Sequence, residues 1–241
     1  MNRKRCLAML LELALAFSIG PVIPARADEE EQNQKIVCID AGHQTRANTA
    51  QEPIGPGSSQ TKYKVTGGTS GCVTHVPEYK LNLRMAKKLR KELKVRGYKV
   101  VMVRTTNDVN ISNIERAEIA NDCNADAFIR IHANSVGSSS TKGALTCAPT
   151  SHTPFLSAKV RKKSQKFSKL MIDSFCKATG AANRGIMWTD SMTGINWCKV
   201  PVTIIEMGFM SNPEEDRLMQ TEDYQAKMVQ GMADGIDEFL K

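Results

Sequence analysis

Several common catalytic signatures are missing from this sequence. It has no G-x-S-x-G nucleophile elbow, no glycine-rich phosphate loop and no dinucleotide fingerprint. No C-x-x-C pair is present, which argues against a thiolate zinc site. Aromatic residues make up only 5% of the chain and are not interleaved with blocks of Lys and Arg, so a nucleic-acid-binding surface is not expected. No internal repeat is found, and nothing marks a second domain. Histidine is scarce: only His43, His75, His132 and His152 occur in 241 residues. A site built on imidazole must therefore draw on these four.

The N-terminus has the form of a secretory signal, residues 1–27. Arg3, Lys4 and Arg5 precede an apolar run from Cys6 to Ile19, and Ala25-Arg-Ala27 forms a small-x-small cleavage site. Retention as an anchor is the alternative, although the run is marginal for spanning a bilayer and carries Glu12. Cleavage after Ala27 would remove four basic residues and one acidic residue, taking the formal charge from +8 to 29 − 24 = +5. A mildly basic, exported chain with no stable membrane span suits a polyanionic surface such as a cell wall. Six cysteines would remain, Cys38, Cys72, Cys123, Cys147, Cys176 and Cys198, an even count that permits disulfides in an exported protein without revealing their pairing.

Beyond a polar lead-in at 28–35, the chain alternates strand and helix patterns. Strands are expected at 36–40, 98–103, 127–132, 143–148 and 200–205. Helices are expected at 78–96, with Leu81, Met85, Leu89 and Leu93 at four-residue spacing, from the capping box Ser112-Asn-Ile-Glu115 to Asn121, at 158–178, and from Thr221 to the C-terminus. In the third of these, Val160, Phe167, Leu170, Met171 and Ser174 are expected to face inward; in the last, Tyr224, Met228, Met232, Ile236 and Leu240 form one stripe. This pattern predicts a single α/β domain, 36–241, with a twisted, mainly parallel sheet and helices on both faces. Residues 44–77 hold five glycines and three prolines without periodicity. They are read as a long functional loop, a wall or lid. Residues 181–199 are likewise read as loop.

Three strand patterns end in titratable residues: Asp40-Ala-Gly-His43, Ile131-His132-Ala-Asn134 and Ile205-Glu206-Met-Gly. Strand ends on one rim of an α/β sheet are where ligands bind. Glu78 starts a helix between the first two; alone it could be a simple first-turn acid. Two imidazoles and a carboxylate with an open fourth position form a catalytic zinc set, and a separate carboxylate can then move the proton. Glu206 is the natural candidate for that second role, and His75 remains a rival ligand.

Taken together, Asp40-Ala-Gly-His43, Glu78-Tyr-Lys-Leu-Asn-Leu83, Ile131-His-Ala-Asn134 and Val202-Thr-Ile-Ile-Glu-Met-Gly-Phe-Met-Ser-Asn-Pro-Glu214 resemble the zinc-dependent N-acetylmuramoyl-L-alanine amidases of the Amidase_3 type. Arg104, Arg116 and Arg184-Gly185 are weaker markers of the same family. The resemblance extends over about residues 36–240. It implies one zinc per chain held by His43, Glu78 and His132, with Glu206 as catalytic acid/base. The implied activity is hydrolysis, by a zinc-bound water, of the amide joining the lactyl group of muramic acid to L-alanine in peptidoglycan. It further implies a secreted, cell-wall-associated enzyme, and leaves open an activating protein partner. The chain departs from the family's glycine-rich run after the first histidine, having Gln44-Thr45 there, and carries the 44–77 insert. A zinc carboxypeptidase would place its first two ligands close together as H-x-x-E, unlike His43 and Glu78. A wall-binding module without catalysis would have no need of Glu206.

Overall fold

The computed structural model describes residues 34–241. The signal pattern at 1–27 and most of the lead-in lie outside the described residues. Among the described residues, no helix is long and apolar enough to cross a membrane.

Among the described residues the central sheet has six strands. Its core comprises β1 (Ile36–Ala41), β4 (Lys99–Met102), β5 (Ala127–Asn134) and β8 (Val202–Phe209), all parallel, with β5 between β1 and β8. Beyond β8, β6 (Ala144–Ala148) runs antiparallel to it, and β7 (Asn183–Trp188) is parallel to β6, giving the order β4-β1-β5-β8-β6-β7. The sheet is thus mainly parallel.

Side-chain alternation along the strands sorts the two faces. Val37, Ile39, Ala41, Ile129, Ile131, Ile205 and Met207 pack against three long helices: α1 (Glu78–Val95), α3 (Ala158–Thr179) and α6 (Glu222–Leu240). Leu81, Met85, Leu89 and Leu93 of α1 are fully buried, as the four-residue spacing requires. Phe167, Met171 and Ser174 of α3 are buried, whereas Val160 and Leu170 are half-buried. In α6, Tyr224, Met228, Met232 and Ile236 are buried and Leu240 is partly so. Gly97 and Gly180 follow α1 and α3 with φ of 88° and 74°, the left-handed conformation that stops a helix.

The other face carries Cys38, Phe128, Val202 and Ile204, covered by α2 (Asn113–Asp122) and the one-turn α4 (Thr193–Asn196). Ser112 and Glu115 form the expected capping box at the start of α2. A short helix, α5 (Pro213–Leu218), follows β8, with Asn212 accepting from the N–H groups of Glu214 and Glu215.

Three expectations need correction. Residues 44–77 are not structureless: β2 (Asn48–Pro53) and β3 (Thr61–Val65) form a separate antiparallel ribbon. Residues 181–199 are not loop but contain β7 and α4. The last parallel strand runs to Phe209, well past the expected end at 205, because β5 continues pairing beside it to Asn134. The six cysteines among the described residues are free thiols, with Cys38, Cys147 and Cys198 buried as small apolar groups.

Candidate metal centre

The parallel strands bring their C-terminal ends to one rim. His43 lies two residues beyond β1. His132 is near the end of β5, and α1 begins at Glu78 opposite both. Donor atoms of His43, Glu78 and His132 lie within 4.8 Å of one another. His43 Nε2 is 3.1 Å from Glu78 Oε2, and His132 Nδ1 is 3.1 Å from Glu78 Oε1. The two ring nitrogens are 3.2 Å apart, with the rings edge to face. Glu78 is therefore more than a first-turn acid. His75 is exposed, in a turn with φ of 56°, and is not among the clustered donors.

The chain holds this cluster by contacts that are remote in sequence. His43 has φ of 61°, uncommon for a residue with a side chain. Two buried arginines grip the backbone around it. Arg104 donates to the carbonyls of Ala41 at 2.7 Å and Gly42 at 3.1 Å, and Arg116 donates to those of Ala41 and His43, both at 3.1 Å. Gly42 has no substitute here, since a Cβ on it would sit 2.2 Å from the His132 ring. Gln44, the departure from the family's glycine run, is buried: its Oε1 accepts from Ile111 N and from Arg116, both at 3.0 Å. It ties the base of the insert to the loop before α2.

Asp40 is fully buried beneath the site and accepts from Arg116 at 2.6 Å and Arg130 at 2.9 Å. Burial would raise its pKa, but the guanidinium groups of Arg116 and Arg130 outweigh that and hold it well below the usual carboxylate range. Burial, with Arg116 beside it, lowers the Arg104 pKa to about 10.

Glu78 accepts from Thr69 N at 3.0 Å, Asn82 Nδ2 at 3.1 Å and Ala133 N at 3.2 Å. Burial opposes its charge, but His132 and His43 hold its pKa well below the usual value. Burial lowers the pKa of His132; Glu78 opposes this and His43 adds to it. The neutral ring is the form that binds metal.

A cation fits this arrangement. His43 Nδ1 lies 2.9 Å from the carbonyl oxygen of Thr66, which can only accept, so Nδ1 carries a proton and, in the neutral ring, Nε2 presents a lone pair. In that form the lone pair faces a carboxylate oxygen at 3.1 Å, and a cation between the two would take both as ligands. An N–H fixed on a carbonyl behind the ring is the usual support of a metal-binding histidine.

Glu206 is set apart from the cluster. It pairs in register with His132 across β5 and β8 and with Leu145 of β6, in mid-strand rather than at a strand end. Its Oε2 is buried with no hydrogen-bond partner among the described residues. Burial, then the charge of Glu78, raises its pKa well above the usual value.

Beside these residues opens a cleft of about 590 Å³, which His43, His132 and Glu206 help to line. The ribbon of the insert supplies one wall through Gln51, Thr61, Lys62, Tyr63 and Thr66. It is firmly anchored. Buried Glu52 accepts from the N–H groups of Asn113 and Ile114 at the start of α2. Asn196 and Trp197 donate to the carbonyls of Ile54 and Pro53. Beyond the ribbon, buried Asp216 accepts from the backbone of Val73 and Thr74, each at 2.8 Å, which fixes the turn leading to Glu78. Sequence reasoning expected a wall or lid from 44–77 but missed the two strands that build it. Their signal was the Ile54-Gly-Pro-Gly57 turn segment between two short runs. It also missed Arg130, which lines the cleft.

The profile of Amidase_3, described as N-acetylmuramoyl-L-alanine amidase, matches residues 37–238, and the chain belongs to this family of enzymes. It is 28% identical over 242 residues to an N-acetylmuramoyl-L-alanine amidase of Mycobacterium tuberculosis, covering 96% of this chain and 97% of that one. Against the Bacillus subtilis amidase LytC the identity is 30% over 164 residues, 68% of this chain but only 31% of the longer relative. The crystal structure of an apo N-acetylmuramyl-L-alanine amidase from Mycobacterium abscessus superposes with a TM-score of 0.78 at 28% identity, covering 86% of this chain and 99% of that one. The catalytic domain of CwlV, an N-acetylmuramoyl-L-alanine amidase from Bacillus (Paenibacillus) polymyxa var. colistinus, gives 0.68 at 31% identity, covering 86% and 98%.

Proposed function

We propose that this chain is a secreted, zinc-dependent peptidoglycan hydrolase. It cleaves the amide between the lactyl group of N-acetylmuramic acid and L-alanine of the stem peptide. His43, Glu78 and His132 hold one zinc ion, and Glu206 is the catalytic acid/base. The observation that carries this reading is the meeting of His43 Nε2 and His132 Nδ1 with the Glu78 carboxylate at 3.1 Å. A zinc ion bound there supplies Lewis acidity, lowering the pKa of a bound water and polarising a carbonyl.

The protein's own groups do the remaining work. Thr66 fixes the tautomer and orientation of His43, and Asn82 and the Ala133 N–H orient Glu78. Glu206, one strand over from His132, takes a proton from the attacking water and returns it to the leaving nitrogen. In the metal-free protein burial, then the charge of Glu78, raises its pKa, the direction expected of a carboxylate that has to take up a proton. The insert wall and α4 confine the substrate against this edge of the sheet. Export, with residues 1–27 as a cleaved signal and a cell-wall location, rests on the N-terminal sequence pattern and on the nature of the substrate.

Digestion of purified peptidoglycan with and without chelator tests the proposal. Mass spectrometry should find soluble peptides with free N-terminal alanine while the glycan stays uncut, and chelator should abolish the peptide release. New reducing sugar ends would mean a glycosidase, and free D-alanine or diamino-acid termini a peptidase.

A further inference from the structure

We propose that Arg130 is a specificity-determining residue that binds a carboxylate of the stem peptide close to the scissile amide. The inference rests on the amidase reading above and extends it to the substrate's charge.

Arg130 and His132 are two residues apart on the same face of β5, and both line the cleft. Two strand residues span about 7 Å, which is also the reach of about two residues of extended peptide. A group bound at Arg130 while the scissile amide lies beside His132 thus belongs to the first or second stem residue. The guanidinium is held rigidly. Its Nε donates to Asp40 at 2.9 Å and its Nη2 to Asn113 Oδ1 at 2.8 Å. The third nitrogen, Nη1, makes no hydrogen bond among the described residues. It lies against Gly194, where a Cβ would come within 1.7 Å of it. The fold thus reserves space for this nitrogen at the cleft.

Charge favours an anion at that nitrogen. Arg104, Arg116 and Arg130 are all buried, yet Asp40 is the only carboxylate paired with any of them among the described residues. Lys62 on the insert wall adds a further positive charge, with its Nζ on the carbonyl of Ser191 and no carboxylate in ion-pair range among the described residues. A guanidinium nitrogen held at the cleft without an acceptor is costly unless something meets it. A carboxylate on the substrate does so, and a pre-oriented guanidinium is the group best shaped to bind it.

The test uses two soluble muropeptides that differ only at the second stem residue, one with a free α-carboxylate and one with the carboxamide. The zinc-loaded protein should cleave the carboxylate form with kcat/KM higher by roughly 10–100-fold, the range for a hydrogen bond to a charged group. Arg130→Gln should bring the ratio of the two kcat/KM values close to one. General structural damage would lower both values and leave the ratio intact. Should Arg130→Gln fail to fold, Gly194→Ala keeps the charge but displaces Nη1, and it should shrink the ratio as well. Equal cleavage of the two substrates by the unmodified protein would overturn the inference while leaving the amidase reading in place. Cleavage of neither at the muramoyl–alanine amide would overturn the amidase reading itself.

Discussion

Glu206 stands directly across from His132, paired in register on adjacent parallel strands, yet contributes no atom to the donor cluster. Parallel strands are about 4.8 Å apart, so the carboxylate is close to the cluster without being part of it. Its buried, unpartnered Oε2 is a costly feature for a structural residue and a useful one for a group that must take up a proton.

This separation makes Glu206→Gln informative. The amide keeps the shape and one acceptor oxygen but cannot take a proton at neutral pH. Zinc content should stay near one per chain, while turnover should fall by at least roughly 10²–10⁴-fold. Loss of zinc in this variant would make Glu206 a ligand instead. Metal content and turnover measured on one preparation separate the two outcomes.

The metal set can be tested by elemental analysis of protein purified without added metal. His132→Ala should lose its zinc. His75→Ala should retain it, because His75 is exposed and outside the cluster. The reverse result would move a ligand into the insert.

A pH prediction follows from the raised pKa of Glu206 in the metal-free protein. From the ordinary value of 4.5 up to the raised one, the folded chain keeps a proton that the unfolded chain has released. Stability must then fall as pH rises through that window. Thermal unfolding in chelator should show a Tm that declines as pH rises above 4.5, and a shallower decline for Glu206→Gln. Identical slopes in the two proteins would mean that Glu206 titrates normally.

Asp40 should be a main structural support of the site. Asp40→Asn leaves the Arg116 and Arg130 guanidinium groups without their carboxylate in a buried setting. Breaking a buried pair in this way costs about 3–5 kcal/mol. Chemical denaturation should show a loss of that order. A loss under about 1 kcal/mol, the range of an exposed pair, would show that the network is not a stabilising one.

The ribbon wall can be removed without touching the metal set, provided that Thr66 and Thr69 are kept, since they hold His43 and Glu78. Replacing residues 50–62 with a short Gly/Ser linker should preserve zinc and folding while reducing digestion of intact sacculi. Unchanged digestion would make the ribbon a surface decoration.

The alternation of strand and helix, the apolar spacing of α1 and the Ser112–Glu115 capping box were readable because each depends on residues a few positions apart. The approach of His43 and His132 was readable for a related reason, whereas Glu78, at a helix start, entered the set through the family resemblance. Strand ends in a parallel sheet share one rim, so local pattern carries spatial meaning there. Other features were decided only in three dimensions. The polar β2 strand is held by Glu52 at the start of α2 and by the side chains of Asn196 and Trp197, contacts spanning about 60 to 144 residues of chain. His43 keeps its unusual backbone angle because Arg104 and Arg116, remote in sequence, hold the carbonyls around it. Arg130 looked like one more strand residue until Asp40, Asn113 and Gly194 closed around it. Sequence periodicity records which face a residue takes, whereas buried hydrogen bonds depend on which distant groups need a partner, and only the folded chain brings those groups together.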